Sequence, residues 1–87
     1  MNNERTFKLQ GAVAIIFSQG ISDISAVTGL NYNTVTSYKY RWKRRKLSYE
    51  KQEDLVLRFG FKKVDEFRYV FPKPTLKDHL AESNKNS

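Results

Sequence analysis

The stretch Gly29–Lys46, GLNYNTVTSYKYRWKRRK, decides the fold. It opens on a glycine and a small polar cluster, and it closes with six basic side chains in eight positions. Gly29 suits a left-handed helix stop, because glycine has no side chain to clash there. Leu30 reads as a buried turn residue. Asn31 is placed to cap a following helix, its side-chain oxygen accepting one of the free backbone N–H groups. Val35, Tyr38 and Trp42 stand at i, i+3 and i+7, an inward stripe for that helix. The spacing predicts a helix running to Lys46, with cations in its last turns complementing the negative end of the helix dipole.

Upstream, Ser22 is placed to cap a short helix over Ser22–Thr28, with Asp23 in its first turn. Ile24 and Val27 share one face of it, and Ile21 is placed to staple onto Ala26. Before that, Leu9, Ala12, Val13, Ile16 and Phe17 fall at helical spacing, with Phe7 as a candidate addition, and predict a first helix over Arg5–Gln19. Gly20 reads as its left-handed stop, with Ile21 folding back onto Ile16.

Downstream, Ser48 is placed to cap a fourth helix with Glu50 and Glu53 early in it. Leu55, Val56 and Phe59 supply its apolar face, and Gly60 supplies a stop. The character then changes. Phe67, Tyr69 and Phe71 alternate and point to a strand, with a helix over Val64–Tyr69 as the open alternative. A strand must pair with another segment or another chain to satisfy its backbone. Pro72 and Pro74 punctuate the end of this aromatic segment, and Thr75 with Asp78 resembles the capping box of a weak helix. The expected architecture is mainly α: a compact four-helix helix-turn-helix domain over residues 1–71, with a C-terminal β-strand and a flexible tail over 72–87.

At 87 residues the chain is read as one domain. It has no cysteine, which excludes disulfides and thiolate metal sites and fits a reducing compartment. The longest clearly apolar stretch, Ala12–Phe17, is six residues, against the roughly 20 that a membrane helix needs. The opening MNNERTF lacks the basic-then-apolar order of a signal peptide. The expectation is a cytoplasmic, nucleoid-associated protein with no membrane partner. Net charge is +7, and the six cations of the quoted stretch carry nearly all of it, because the other ten basic residues face nine acidic ones. A concentrated positive stripe suits a polyanion, most often nucleic acid. The plain alternative is a solvated face.

Two helices joined by a tight glycine turn, the second one basic, form a helix-turn-helix pattern. On Ile24, Gly29, Leu30, Val35 and Tyr38, residues Ile21–Tyr40 resemble the helix-turn-helix unit of small Cro- and phage-repressor-like regulators. Ser25 stands where that family usually has alanine, and Tyr38 is larger than its usual aliphatic residue. The resemblance implies that the amino-terminal part of the second helix enters the major groove of double-stranded DNA. Mapped onto this chain, the base-reading residues are Asn31, Tyr32, Asn33, Thr36, Ser37 and Tyr40. Asparagine pairs bidentately with adenine, and threonine offers a methyl to thymine. Lys39, Arg41, Lys43, Arg44, Arg45 and Lys46 would grip phosphates, which position the protein without reading sequence. Asn31 reads first as the helix cap and second as a base reader, and Val35, Tyr38 and Trp42 read first as core.

No enzyme is expected. The sole histidine, His79, falls in the tail, there is no glycine-rich phosphate loop and no cluster of metal ligands, and Glu50, Glu53 and Asp54 read as helix N-terminal charges. No cofactor, metal or small-molecule ligand is expected. The leading function is a small transcriptional repressor of a phage or mobile element, acting by operator occupancy as a homodimer, with Phe67, Tyr69 and Phe71 as the candidate dimer contact and folding of that segment back onto the chain's own helices as the open alternative. A recombination or packaging accessory, an RNA binder and a protein-interaction module are the alternatives. Single-strand binding would use Tyr40 and Trp42 as stacking platforms if Trp42 is not core.

Overall fold

The computed structural model describes residues 6–71. In order these form β1 (Thr6–Phe7), α1 (Leu9–Phe17), α2 (Ile21–Thr28), α3 (Tyr32–Lys43), α4 (Tyr49–Phe59), β2 (Lys62–Asp65) and β3 (Arg68–Val70). Four helices and a small antiparallel sheet enclose one core. The expected helix at Thr75–Asp78 and the tail over 72–87 lie outside the described residues.

α1 buries Leu9, Ala12, Val13, Ile16 and Phe17, the apolar positions of its sequence pattern. It is shorter than the expected Arg5–Gln19. Thr6 and Phe7 are a strand instead, paired with Val70 and Tyr69. The Phe7 ring meets Phe61 edge-on at 5.8 Å. Backbone pairing and that ring contact outweigh the helical spacing of Phe7.

α2 also starts differently. Gly20 is not left-handed: at φ −68°, ψ 151° it is extended, and it serves as the N-cap of α2. Its carbonyl accepts from Ile24 N–H at 3.1 Å. Ser22 therefore lies inside the helix, and Ile21 is its first residue, not the residue before the cap that the expected staple onto Ala26 requires. Asp23 does lie in the first turn, and Ile24 is fully buried.

α4 follows the sequence closely. Ser48 Oγ accepts from Lys51 N–H at 3.3 Å, Leu55, Val56 and Phe59 are buried, and Gly60 ends the helix at φ 121°. Burying these three residues together with the apolar face of α1 removes enough apolar surface to hold the helices together.

The sheet order is β1-β3-β2, all antiparallel. The helical alternative over Val64–Tyr69 is thus overturned: the chain makes a β2–β3 hairpin. Asp65 shapes its turn, accepting from Phe67 N–H at 3.0 Å and from Arg68 Nε at 2.7 Å. β3 is the middle strand, so both of its edges are satisfied within the chain. Of the two pairings left open by the sequence, within the chain or across a dimer, the strand takes the one within the chain. Tyr69 is 0% exposed, Phe71 is half-buried and packs 5.0 Å from Phe61, and Phe67, in the turn, is 69% exposed. Tyr69 is anchored as well as buried. Its hydroxyl donates to Glu53 Oε2 at 2.6 Å, and Lys63 Nζ donates to the same oxygen at 2.9 Å.

Candidate nucleic-acid interface

α3 is held against α2 and by a well-knit turn. Gly29 takes φ 76°, and its N–H donates to Ser25 O at 2.9 Å. Ser25, in the place of the family's alanine, donates its hydroxyl to Leu30 O at 2.6 Å. Thr28 Oγ1 donates to Ile24 O at 2.7 Å and accepts from Leu30 N–H at 3.2 Å. These bonds leave little freedom in the corner from α2 to α3. Asn31 then caps α3, its Oδ1 accepting from Asn33 N–H at 2.8 Å. That bond fixes the side chain at the helix end, so a capping Asn31 offers a base chiefly its amide N–H groups.

Val35 is fully buried, and Tyr38 and Trp42 pack against the core, as their spacing predicts. Phe17 holds the Trp42 ring at 5.2 Å, and Lys51 Nζ lies 5.7 Å from the centre of the Tyr38 ring. With one side of Trp42 against Phe17, its role is core first, and its free side lines a groove.

At about 3.6 residues per turn, Asn33, Thr36, Ser37, Tyr40 and Arg44 share the face opposite Val35. All are exposed except Ser37, which is half-buried. Tyr32 (53% exposed) and Tyr40 (61% exposed) present open rings, Tyr32 on the flank shared with Lys39 and Lys43. Thr36 Oγ1 donates to Tyr32 O at 3.0 Å, which commits its hydroxyl hydrogen to the helix and leaves its methyl and the acceptor lone pairs of its oxygen uncommitted. Arg44 Nη1 donates to Tyr40 OH at 3.3 Å, with the guanidinium carbon 5.4 Å from the ring centre. The six predicted readers are thus brought to one helix and its cap, with Asn33 the one asparagine whose whole amide is uncommitted.

The helix ends at Lys43, short of the expected Lys46. Arg44 is the C-cap, Arg45 turns left-handed at φ 60°, and Lys46 N–H donates back to Arg41 O at 2.7 Å while Arg45 N–H donates to Trp42 O at 2.9 Å. This is a Schellman ending, with arginine where glycine is usual. The chain must break here so that Leu47 can bury and Ser48 can start α4. The three last cations therefore sit on a turn and not on a helix face.

The electrostatics remain one-signed. No acidic residue stands between Asp23 and Glu50. The ion pairs among the described residues are Arg58–Asp54, Lys63–Glu53 and Arg68–Asp65, all away from α3. Lys39, Arg41, Lys43, Arg44, Arg45 and Lys46 have no carboxylate partner among the described residues, and all but the half-buried Lys39 are exposed. Two carboxylates elsewhere, Glu53 and Asp65, are tied to the sheet. Glu53 is held below its ordinary pKa, first by the Tyr69 hydroxyl and then by Lys63. Burial, followed by the Glu53 bond, pushes the Tyr69 phenol well above its ordinary value.

Sequence reasoning missed the groove at the carboxyl end of α3. It measures about 690 Å³ and is lined by Gln10, Trp42, Lys43, Arg45, Leu47 and Gln52. Its walls come from α1, α3, the connection and α4, and no local pattern joins them. Among the described residues, no group of His, Asp and Glu side chains is placed to hold a metal ion, and no single helix is long and apolar enough to cross a membrane. No protein-family model, no curated protein and no solved structure matches this chain.

Proposed function

We propose that the chain is a sequence-specific double-stranded DNA-binding protein, a small cytoplasmic regulator of a phage or mobile element that acts by occupying its operator. The observation that carries this reading is the outward face of α3. Asn33, Thr36 and Tyr40 are exposed and face away from the core, and they run directly into unpaired cations. Polar readers on a rigid helix suit base edges in the major groove, and the cations suit the flanking phosphates. A second copy on the adjacent groove face would extend the site and its specificity. With β3 enclosed, Phe67 is the one member of the expected aromatic trio left to contribute to such a contact.

Selection of bound fragments from random duplex DNA at near-physiological salt tests the reading. A recovered motif supports it, and a palindrome adds the second copy. Recovery of random sequence alone rejects base reading. Single-strand binding is the second reading, favoured by the open Tyr32 and Tyr40 rings beside the cations. Preference for single strands over duplex of the same sequence would select it.

A further inference from the structure

The groove at the carboxyl end of α3 has a composition of its own. Trp42 and Leu47 supply an apolar wall, Gln10 and Gln52 supply amides, and Lys43 and Arg45 supply two positive charges, with no acid in the lining. Gln52 donates one N–H to Leu47 O at 2.8 Å, which leaves its oxygen and its other N–H uncommitted. A volume of about 690 Å³ falls in the range of small-ligand sites.

Arg45 adds an independent observation. It is the only non-glycine residue with positive φ among the described residues, and Gly29 and Gly60 take that backbone elsewhere. Its guanidinium has no hydrogen bond, ion pair or ring partner among the described residues. A strained residue with no partner inside the protein, lining a groove, points to a partner outside it. Arginine is the side chain that meets a phosphate with two parallel N–H bonds.

We propose that the groove is a phosphate-ester site, in which Arg45 and Lys43 hold the oxyanion and the Trp42–Leu47 wall takes the attached sugar, and for a free nucleotide its base as well. Two sources share this chemistry: a backbone phosphodiester of bound duplex, or the phosphates of a free nucleotide. The duplex source rests on the proposed function, whereas the free-nucleotide source does not.

Trp42 is the only tryptophan in the chain, so its fluorescence reports on the groove directly. Wild type, Arg45→Gly and Arg45→Lys are titrated with inorganic pyrophosphate, with ATP and with a random-sequence duplex over a range of salt. Arg45→Gly is expected to melt at or above the wild-type temperature, because glycine accepts the left-handed backbone. It should nonetheless weaken the response by about tenfold or more, the loss expected for a hydrogen-bonded charge. Arg45→Lys should fall between, keeping charge and losing the paired N–H bonds. A response to ATP or pyrophosphate that Arg45→Gly abolishes assigns the free nucleotide. A response to duplex alone, with the salt slope reduced by about one in Arg45→Gly, assigns the backbone. Silence to all three probes, an Arg45→Gly response equal to wild type, or an Arg45→Gly protein that melts well below wild type overturns the proposal. A wild type that ignores duplex but answers ATP keeps the groove and rejects the proposed function.

Discussion

Gly29 and Arg45 flank α3, and both hold left-handed backbone, at φ 76° and φ 60°. Their surroundings are opposite. Around Gly29 the Ser25 and Thr28 hydroxyls and the Asn31 amide are all hydrogen-bonded within the turn. Around Arg45 the backbone is equally well bonded, but Lys43, Arg45 and Lys46 make no side-chain bond among the described residues, and Arg44 contacts only Tyr40. The amino end of the helix is arranged for stability. The carbonyl end keeps a charge where glycine would relax the chain. A residue whose conformation disfavours it and whose side chain stabilises nothing internal is best understood by what it offers to a ligand.

Mutations should separate the two ends. Between them, on the reading face, Asn33→Ala should have the largest effect on recognition, costing about 1–3 kcal/mol of discrimination between cognate and mismatched duplex with melting nearly unchanged. Equal loss for both duplexes would remove Asn33 from the reading role. At the amino end, a Cβ on Gly29 meets nothing within 4 Å, so Gly29→Ala isolates the backbone term. It should destabilise by about 1–2 kcal/mol in urea titration. Asn31→Ala, which removes the cap, should cost about 1 kcal/mol, and its binding loss should shrink once folding is restored by cooling. At the carboxyl end, Arg44→Ala should change stability by less than about 0.5 kcal/mol. It should flatten the salt dependence of duplex binding by about one unit. If Arg44→Ala unfolds the protein, the contrast between the ends fails.

Acid provides an internal control away from α3. Glu53 and Asp65 are held below their ordinary values, Glu53 first by Tyr69 and Asp65 first by Arg68. Lowered carboxylates add stability that is present above their unfolded pKa and lost as pH falls through the folded one. The melting temperature should therefore drop as pH goes below about 4. Neither end of α3 carries a carboxylate, so the acid profile of Arg45→Gly should run parallel to wild type, whereas Tyr69→Phe should flatten it.

Much of the fold was legible in the chain because the signals were local. Asn31, Ser48, Gly29 and Gly60 act within a few residues of themselves, and all four do what their types favour. Gly20 misled because an extended N-cap and a left-handed stop both admit glycine, and only the start of α2 separates them. The end of α3 misled for a related reason. Arginine gives no sign of a left-handed turn, and the need to bury Leu47 comes from the tertiary core. β1 could not be seen at all, since two residues become a strand only when β3 arrives beside them. The outward polar face of α3 was readable from helical spacing, whereas the groove, drawn from distant segments, was not.

The enclosed position of β3 also has a bearing on how the chain is born. Phe7 is synthesised before all four helices, and Tyr69, its partner across the sheet, only after them. All four helices are synthesised before the sheet can close, so the nascent domain carries an open seam until Val70 emerges.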